Sequence, residues 1–160
     1  MKSAPLPSMA YAGEILDALK SLDLEAIARE SLEENAEVMA DLNAEQLARG
    51  LRADGSEILP LYKPLTIEIK QTKSGLAAVT DHVTLFDTGS HYRELYAEVQ
   101  GDEIEYGSRD EKSAKLQKKY STSKGPIYGL TTDSKDELMN GPVAKSWRNK
   151  IESLTGLKFE

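Results

Sequence analysis

The 160 residues carry 27 acids against 20 bases, a net charge of −7, with 39% hydrophobic side chains, 29% charged side chains and no cysteine. Such a composition describes a soluble globular chain long enough to bury a core in one domain. It excludes disulfides and thiolate metal centres, and it argues against nucleic acid as the main partner, because phosphate binding needs a basic footprint.

The charge is uneven along the chain. Residues 1–100 hold 17 acids and 9 bases, net −8, and residues 101–160 hold 10 acids and 11 bases, net +1. An acidic end and a near-neutral end suit head-to-tail packing of identical subunits. The start leads into no apolar run of signal-peptide length, and no stretch approaches a membrane span. The expectation is therefore a protein made and kept in a cytoplasm until any particle is released.

Residues 1–12, with two prolines and small side chains, are expected to form a loose arm, and residues 13–160 one structural domain. A short helix is expected over 13–21. The strongest helical pattern runs over 24–49, with Asp23 as N-cap and Gly50 as stop. Its apolar positions include Leu24, Ile27, Leu32, Val38, Met39, Leu42 and Leu47; its opposite face carries Glu25, Glu30, Glu33, Glu34 and Glu37. That acidic face reads either as a solvated surface or as a docking surface.

Ala53-Asp54-Gly55-Ser56 is a tight-turn signal, and Pro60 and Pro64 keep Ile58 to Tyr62 extended. Residues 65–73 are predicted as a short helix, and Val83 to Phe86 as an extended lead-in. Asp87-Thr88-Gly89 reads as a turn, with Asp87 or Thr88 capping one or two helical turns over 90–95. Tyr96 to Val99 and Glu103 to Tyr106 alternate apolar and polar residues across Gln100-Gly101-Asp102, a hairpin signal whose apolar face is Ala97, Val99, Ile104 and Tyr106. Asp110 is expected to cap a lysine-rich helix over 111–120. Thr131 to Ser134 open a last helical region, interrupted at Gly141-Pro142, with Val143, Trp147, Ile151 and Leu154 on one face of its second part.

Few residues offer chemistry. His82 and His91 match no zinc spacing and read as surface or turn residues. There is no phosphate loop, dinucleotide fingerprint or Gly-x-Ser-x-Gly elbow. Leu85-Phe86-Asp87-Thr88-Gly89-Ser90 is similar to the active-site loop of aspartic proteases, in which two carboxylates share a proton. A homodimer could supply the second aspartate to Asp87. Against that reading, the protease fold is nearly all β, the residues after Gly89 have helical character, and the hairpin lacks the glycines of a flap. No catalytic residue, cofactor or metal is assigned, and the chain is read as a non-enzyme.

The order of motifs resembles that of phage virion-morphogenesis and tail-completion proteins, which join head to tail at the neck. Leu85-Phe86-Asp87-Thr88-Gly89-Ser90-His91-Tyr92 is followed by the hairpin and Tyr106-Gly107-Ser108. Pro126-Ile127-Tyr128-Gly129-Leu130-Thr131-Thr132-Asp133 then precedes the last helix. A closer likeness is to structural proteins of phages of Bacteroidetes-type hosts, including the crAss-like group, carried by Asp54-Gly55, Tyr62, Asp87 to Tyr92, Lys112 to Tyr120 and Gly129-Leu130-Thr131.

The resemblance spans roughly residues 24–155 and implies an α+β fold: a long N-terminal helix on a small antiparallel sheet with a β-hairpin, plus C-terminal helices. It implies a bacteriophage structural protein of the virion, a head-tail connector that forms a ring oligomer between portal or adaptor and tail. A capsid-associated, tail-tip or cargo protein is the alternative. Asp87, Thr88 and Gly89 would then be a structural turn and cap. Glu30, Glu33 and Glu37, with Lys112, Lys115, Lys118, Lys119 and Tyr128, are the candidate subunit contacts. No membrane and no sequence-specific nucleic acid is expected as a partner, although DNA could pass through such a ring.

Overall fold

The computed structural model describes residues 9–122 and 125–159. Helices α1 (Met9–Lys20), α2 (Leu24–Glu33), α3 (Ala36–Ala48) and α4 (Pro64–Gln71) come first. A single turn, α5 (Ser90–Arg93), leads into strands β1 (Leu95–Gln100) and β2 (Glu103–Ser108). Helices α6 (Ser113–Tyr120), α7 (Thr132–Leu138) and α8 (Ala144–Thr155) follow. The fold is mixed helix and sheet, with one antiparallel hairpin packed against N-terminal helices and a C-terminal helical region, as the sequence led us to expect. No helix among the described residues is long and apolar enough to cross a membrane.

Helix α1 begins at Met9, within the expected arm; residues 1–8 lie outside the described residues. The segment 24–49 is two helices instead of one. Asp23 caps the first, its carboxylate accepting from Ala26 N–H at 3.0 Å. The break at Asn35 has a local cause. Ser31 Oγ donates to Ile27 O at 2.7 Å and Asn35 Nδ2 donates to Ser31 O at 2.7 Å. Side chains that take helix carbonyls compete with the backbone ladder and bend it. Asn35 accordingly leaves helical geometry at φ −104°, ψ 19°.

The chain turns out of α3 at Gly50, whose φ of 75° is left-handed. A Cβ there would lie 2.8 Å from His82 Cδ2, and the His82 ring bonds Ala48 O at 2.8 Å. The loop 79–82 is thereby pinned to the end of α3, and His82 is half-buried.

The hairpin has the expected register, with Ala97 opposite Tyr106 and Val99 opposite Ile104. Those four residues form the inner face and pack with Met39, Leu42, Leu130, Leu138 and Val143. A second core joins Leu47, Ile58, Val83, Leu85, Tyr120, Ile127 and Tyr128. Each fully buried side chain of this size contributes roughly 1.5–3 kcal/mol. Buried amides link the two cores: Asn43 Nδ2 and Gln46 Nε2 both donate to Gly129 O at 3.0 Å, and Gln46 Oε1 accepts from Thr131 N–H at 2.8 Å.

Arg52 is a third tie and is only 6% exposed. Its guanidinium donates to Tyr120 O at 2.8 Å, Glu57 O at 2.7 Å and Leu59 O at 3.0 Å. It clamps the turn after α3 onto the end of α6.

The C-terminal helices depart from expectation in two ways. Gly141-Pro142 does not interrupt the helical path; Met139–Val143 is a π-helical turn that carries α7 into α8. Proline lacks the N–H of the regular ladder, and the wider turn absorbs that loss. Val143 and Ile151 are buried, but Trp147 and Leu154 are 39% and 63% exposed. The face they share is wider than the surface that α2 and the π-turn cover.

Candidate functional site

A cleft of about 300 Å³ opens between α4 and α6, with residues 85–91 as its floor. Three local features build it. α4 is inverted relative to ordinary amphipathic logic: Leu65 and Ile69, one turn apart, are 68% and 52% exposed, while Lys70 is buried. Tyr62 Oη accepts from Thr84 N–H at 3.0 Å and Leu85 N–H at 3.3 Å, and Tyr92 Oη donates to Thr84 O. These two tyrosines hold Leu85 at φ 57°, a left-handed conformation rare for leucine, and so set the floor.

Lys70 is the first polar group of the cleft. Its ammonium donates to Ala77 O at 2.9 Å and Phe86 O at 3.0 Å, and lies 4.8 Å from the Tyr62 ring centroid. Among the described residues it has no carboxylate partner. A buried ammonium is ordinarily paired, because its desolvation is costly.

His91 is the second polar group, 5% exposed and not at the surface as expected. Nε2 meets Tyr128 Oη at 3.3 Å, and Tyr128 Oη meets Ser113 Oγ at 2.9 Å. Nδ1 is buried without a partner. Burial pushes the imidazole pKa down, and the nearby Asp110 carboxylate partly opposes that. Asp110 itself is held below the usual carboxylate range, chiefly by Lys112 N–H at 2.8 Å and then by the Ser90 hydroxyl.

The residues singled out from sequence divide into three groups. Asp87, Thr88, Gly89 and Lys112 line this cleft. Asp87 and Thr88 do not cap α5, which has no side-chain cap. Gly89 occupies the N-cap position at φ 86°, where a Cβ would lie 3.0 Å from Arg93 Nη1 and 3.2 Å from Phe86 Cζ. Asp87 is instead ion-paired with Lys73. Within the chain its partner is therefore a cation.

Among the candidate subunit contacts, Lys112, Lys115, Lys118 and Lys119 form an exposed face of α6, with Lys119 over the Tyr120 ring. Glu33 and Glu37 are exposed on α2 and α3. Glu30 is engaged within the chain: Lys150 of α8 bonds Glu30 at 3.1 Å and Glu34 at 2.6 Å. Tyr128 is not a surface contact. It is 4% exposed, packed in the second core and fixed by Ser113 and His91. Among the described residues no cluster of metal-ligating side chains forms.

Sequence reasoning missed Lys70, and it misassigned His91. Lys70 lies four residues after Thr66 and three after Ile67, on the inner side of α4, but nothing local marks a lysine there as buried. His91 follows the Asp-Thr-Gly motif at a distance that a turn makes look exposed.

Exposed large apolar side chains include Leu59, Leu61, Leu65 and Ile69, the last of which lines the cleft, and Leu16 of α1 with Trp147 and Leu154 of α8. Helix α1 contacts α8, so Leu16, Trp147 and Leu154 lie on adjoining elements. No protein-family model, curated protein or solved structure matches this chain.

Proposed function

We propose that this chain is a structural subunit of a tailed-phage virion, a neck or tail-completion protein that joins portal or adaptor to tail as part of a ring. The virion setting is drawn from the order of motifs between residues 24 and 155. The observation that supports the assembly role is the exposure of Leu59, Leu61, Leu65 and Ile69 and of Leu16, Trp147 and Leu154, which this reading takes as two apolar strips on different elements. Exposed leucine, isoleucine and tryptophan side chains grouped in this way mark association surfaces. Two dissimilar strips on one chain suit heterologous, head-to-tail contact, the geometry that closes into rings when the rotation allows. The exposed lysine face of α6 and the exposed Glu33 and Glu37 add a second, electrostatic complementarity between neighbours.

Native mass spectrometry at rising concentration tests this reading. Wild type is expected to form oligomers larger than a dimer. Leu61→Asp with Leu65→Asp breaks the first strip; Trp147→Asp with Leu154→Asp breaks the second. Each double variant is expected to be monomeric alone, and an equimolar mixture of the two to give a 1:1 heterodimer through the one intact interface. A wild type that stays monomeric, or variants that self-associate as well as wild type, would overturn the proposal.

A further inference from the structure

The cleft between α4 and α6 is built beyond what a purely structural surface needs. Its cation, Lys70, has two protein acceptors for three N–H groups and, among the described residues, no counter-ion. A second wall residue, His91, holds a buried nitrogen with no partner. Buried polar groups in folded proteins are nearly always satisfied, and an exception calls for an occupant.

The charge of that occupant follows from the walls. Lys70, Lys73 and Lys112 line the cleft, and the acid that lines it, Asp87, is already paired with Lys73. The uncompensated charge is positive, so the occupant carries negative charge. Its remaining character follows from Leu85, Phe86, Leu116 and Tyr120, which supply an apolar wall. A volume of about 300 Å³ fits a small organic molecule.

We infer that the cleft is a binding site for a small carboxylate bearing an apolar group. Lys70 meets the carboxylate with its free N–H, and the apolar group lies along Leu85, Phe86 and Leu116. His91 joins through its tautomer. When Ser113 donates to Tyr128, and Tyr128 donates to Nε2, the ring proton sits on Nδ1 and can be given to a carboxylate oxygen. With the hydrogens arranged so, the chain Ser113–Tyr128–His91 makes the buried Nδ1 a donor. Inorganic phosphate would satisfy the charge but leave the apolar wall uncovered, which is why the carboxylate is the better fit.

Amide chemical-shift titration tests the inference. Phenylacetate and hexanoate are the probes, with phenylacetamide as the uncharged counterpart and inorganic phosphate as the anion without an apolar part. Saturable shifts are expected for both carboxylates in the millimolar range or below, concentrated at residues 85–91 and 112–120. Phenylacetamide and phosphate are each expected to bind at least about tenfold more weakly, since each loses one of the two contacts.

Lys70→Met is expected to abolish carboxylate binding. Because Lys70 also holds two carbonyls, Ile69→Glu supplies a second variant at an exposed position on the same rim. It sets a like charge at the mouth and is expected to weaken binding roughly tenfold, while Ile69→Lys strengthens it. The inference is overturned by no saturable shift with either carboxylate, by equal affinity for phenylacetamide, or by indifference to the charge at position 69.

Discussion

Replacing Arg52 with Met keeps much of the stem and removes every hydrogen bond from the guanidinium. Three main-chain carbonyls lose their donor: Tyr120 O, Glu57 O and Leu59 O. Tyr120 is 4% exposed, so its carbonyl carries a desolvation cost of about 2 kcal/mol when left unmet. Glu57 and Leu59 are exposed residues whose carbonyls water can reach, and each is assigned about 0.5 kcal/mol. The expected loss is about 3 kcal/mol. In a chain of this size that lowers the melting temperature by about 6–12 °C. Urea unfolding followed by circular dichroism, together with a thermal scan, reads both quantities. Arg52→Lys should recover only a fraction, because an ammonium cannot present the planar fork that reaches all three carbonyls. A loss under about 1 kcal/mol with an unchanged denaturant slope would refute the clamp, since an unclamped surface arginine costs no more than that.

Two further outcomes are expected. Met39 is fully buried and accepts the Tyr106 hydroxyl at its sulfur, 3.5 Å away, so Met39→Ala should cost about 3 kcal/mol in urea unfolding, while Val38→Ala beside it costs under about 1 kcal/mol. His91 gives a pH dependence. Burial lowers its pKa below the ordinary 6.5, so the unfolded chain binds the proton more readily than the folded one. The stability that the neutral ring contributes is present above pH 6.5 and is lost as pH falls through the lowered folded value. The groups facing the ring are Asp110, which opposes the shift, Lys112, which adds to it, and the Tyr128 and Tyr92 rings. Thermal unfolding between pH 7 and pH 5 should show a decline that His91→Gln flattens, and parallel slopes in the two proteins would contradict it.

What the sequence makes legible is whatever short-range pattern determines. The hairpin could be read because alternation and the Gly101-Asp102 turn specify register locally, and Ala97, Val99, Ile104 and Tyr106 do form its inner face. Asp23 and Thr131 could be read as helix starts, because a cap is decided within one turn; Thr131 Oγ1 accepts Ser134 N–H at 3.3 Å. The break at Asn35 could not be read, because for Ser31 and Asn35 the choice between bonding a helix carbonyl and facing solvent depends on burial. Arg52, Lys70 and Tyr128 are set by partners beyond their own element: Lys70 finds Ala77 O and Phe86 O. Arg52 finds Tyr120 O, and Tyr128 finds His91 and Ser113. No periodicity marks such residues, and an Arg or Lys in a polar stretch reads as solvated.

The segment 83–91 shows how a motif of familiar letters acquires a different physical role. Asp-Thr-Gly before a helix reads as a cap, yet α5 has none, and Asp87 spends its charge on Lys73. The backbone of the segment is held from outside itself: by Tyr62 and Tyr92 at Thr84 and Leu85, and by Lys70 at Phe86 O. A segment held by three long side chains from three directions is stiff, and stiffness is what a recognition wall requires. The inversion of α4 follows from the same demand. Turning Lys70 inward to hold Phe86 O swings Leu65 and Ile69, about 140° and 100° away around the helix, toward solvent. The cleft and the exposure of Leu65 and Ile69 therefore arise from a single rotation of one helix. A neighbour docking on Leu65 and Ile69 would sit at the rim of the cleft, and occupancy of the cleft and burial of the strip would then be energetically linked.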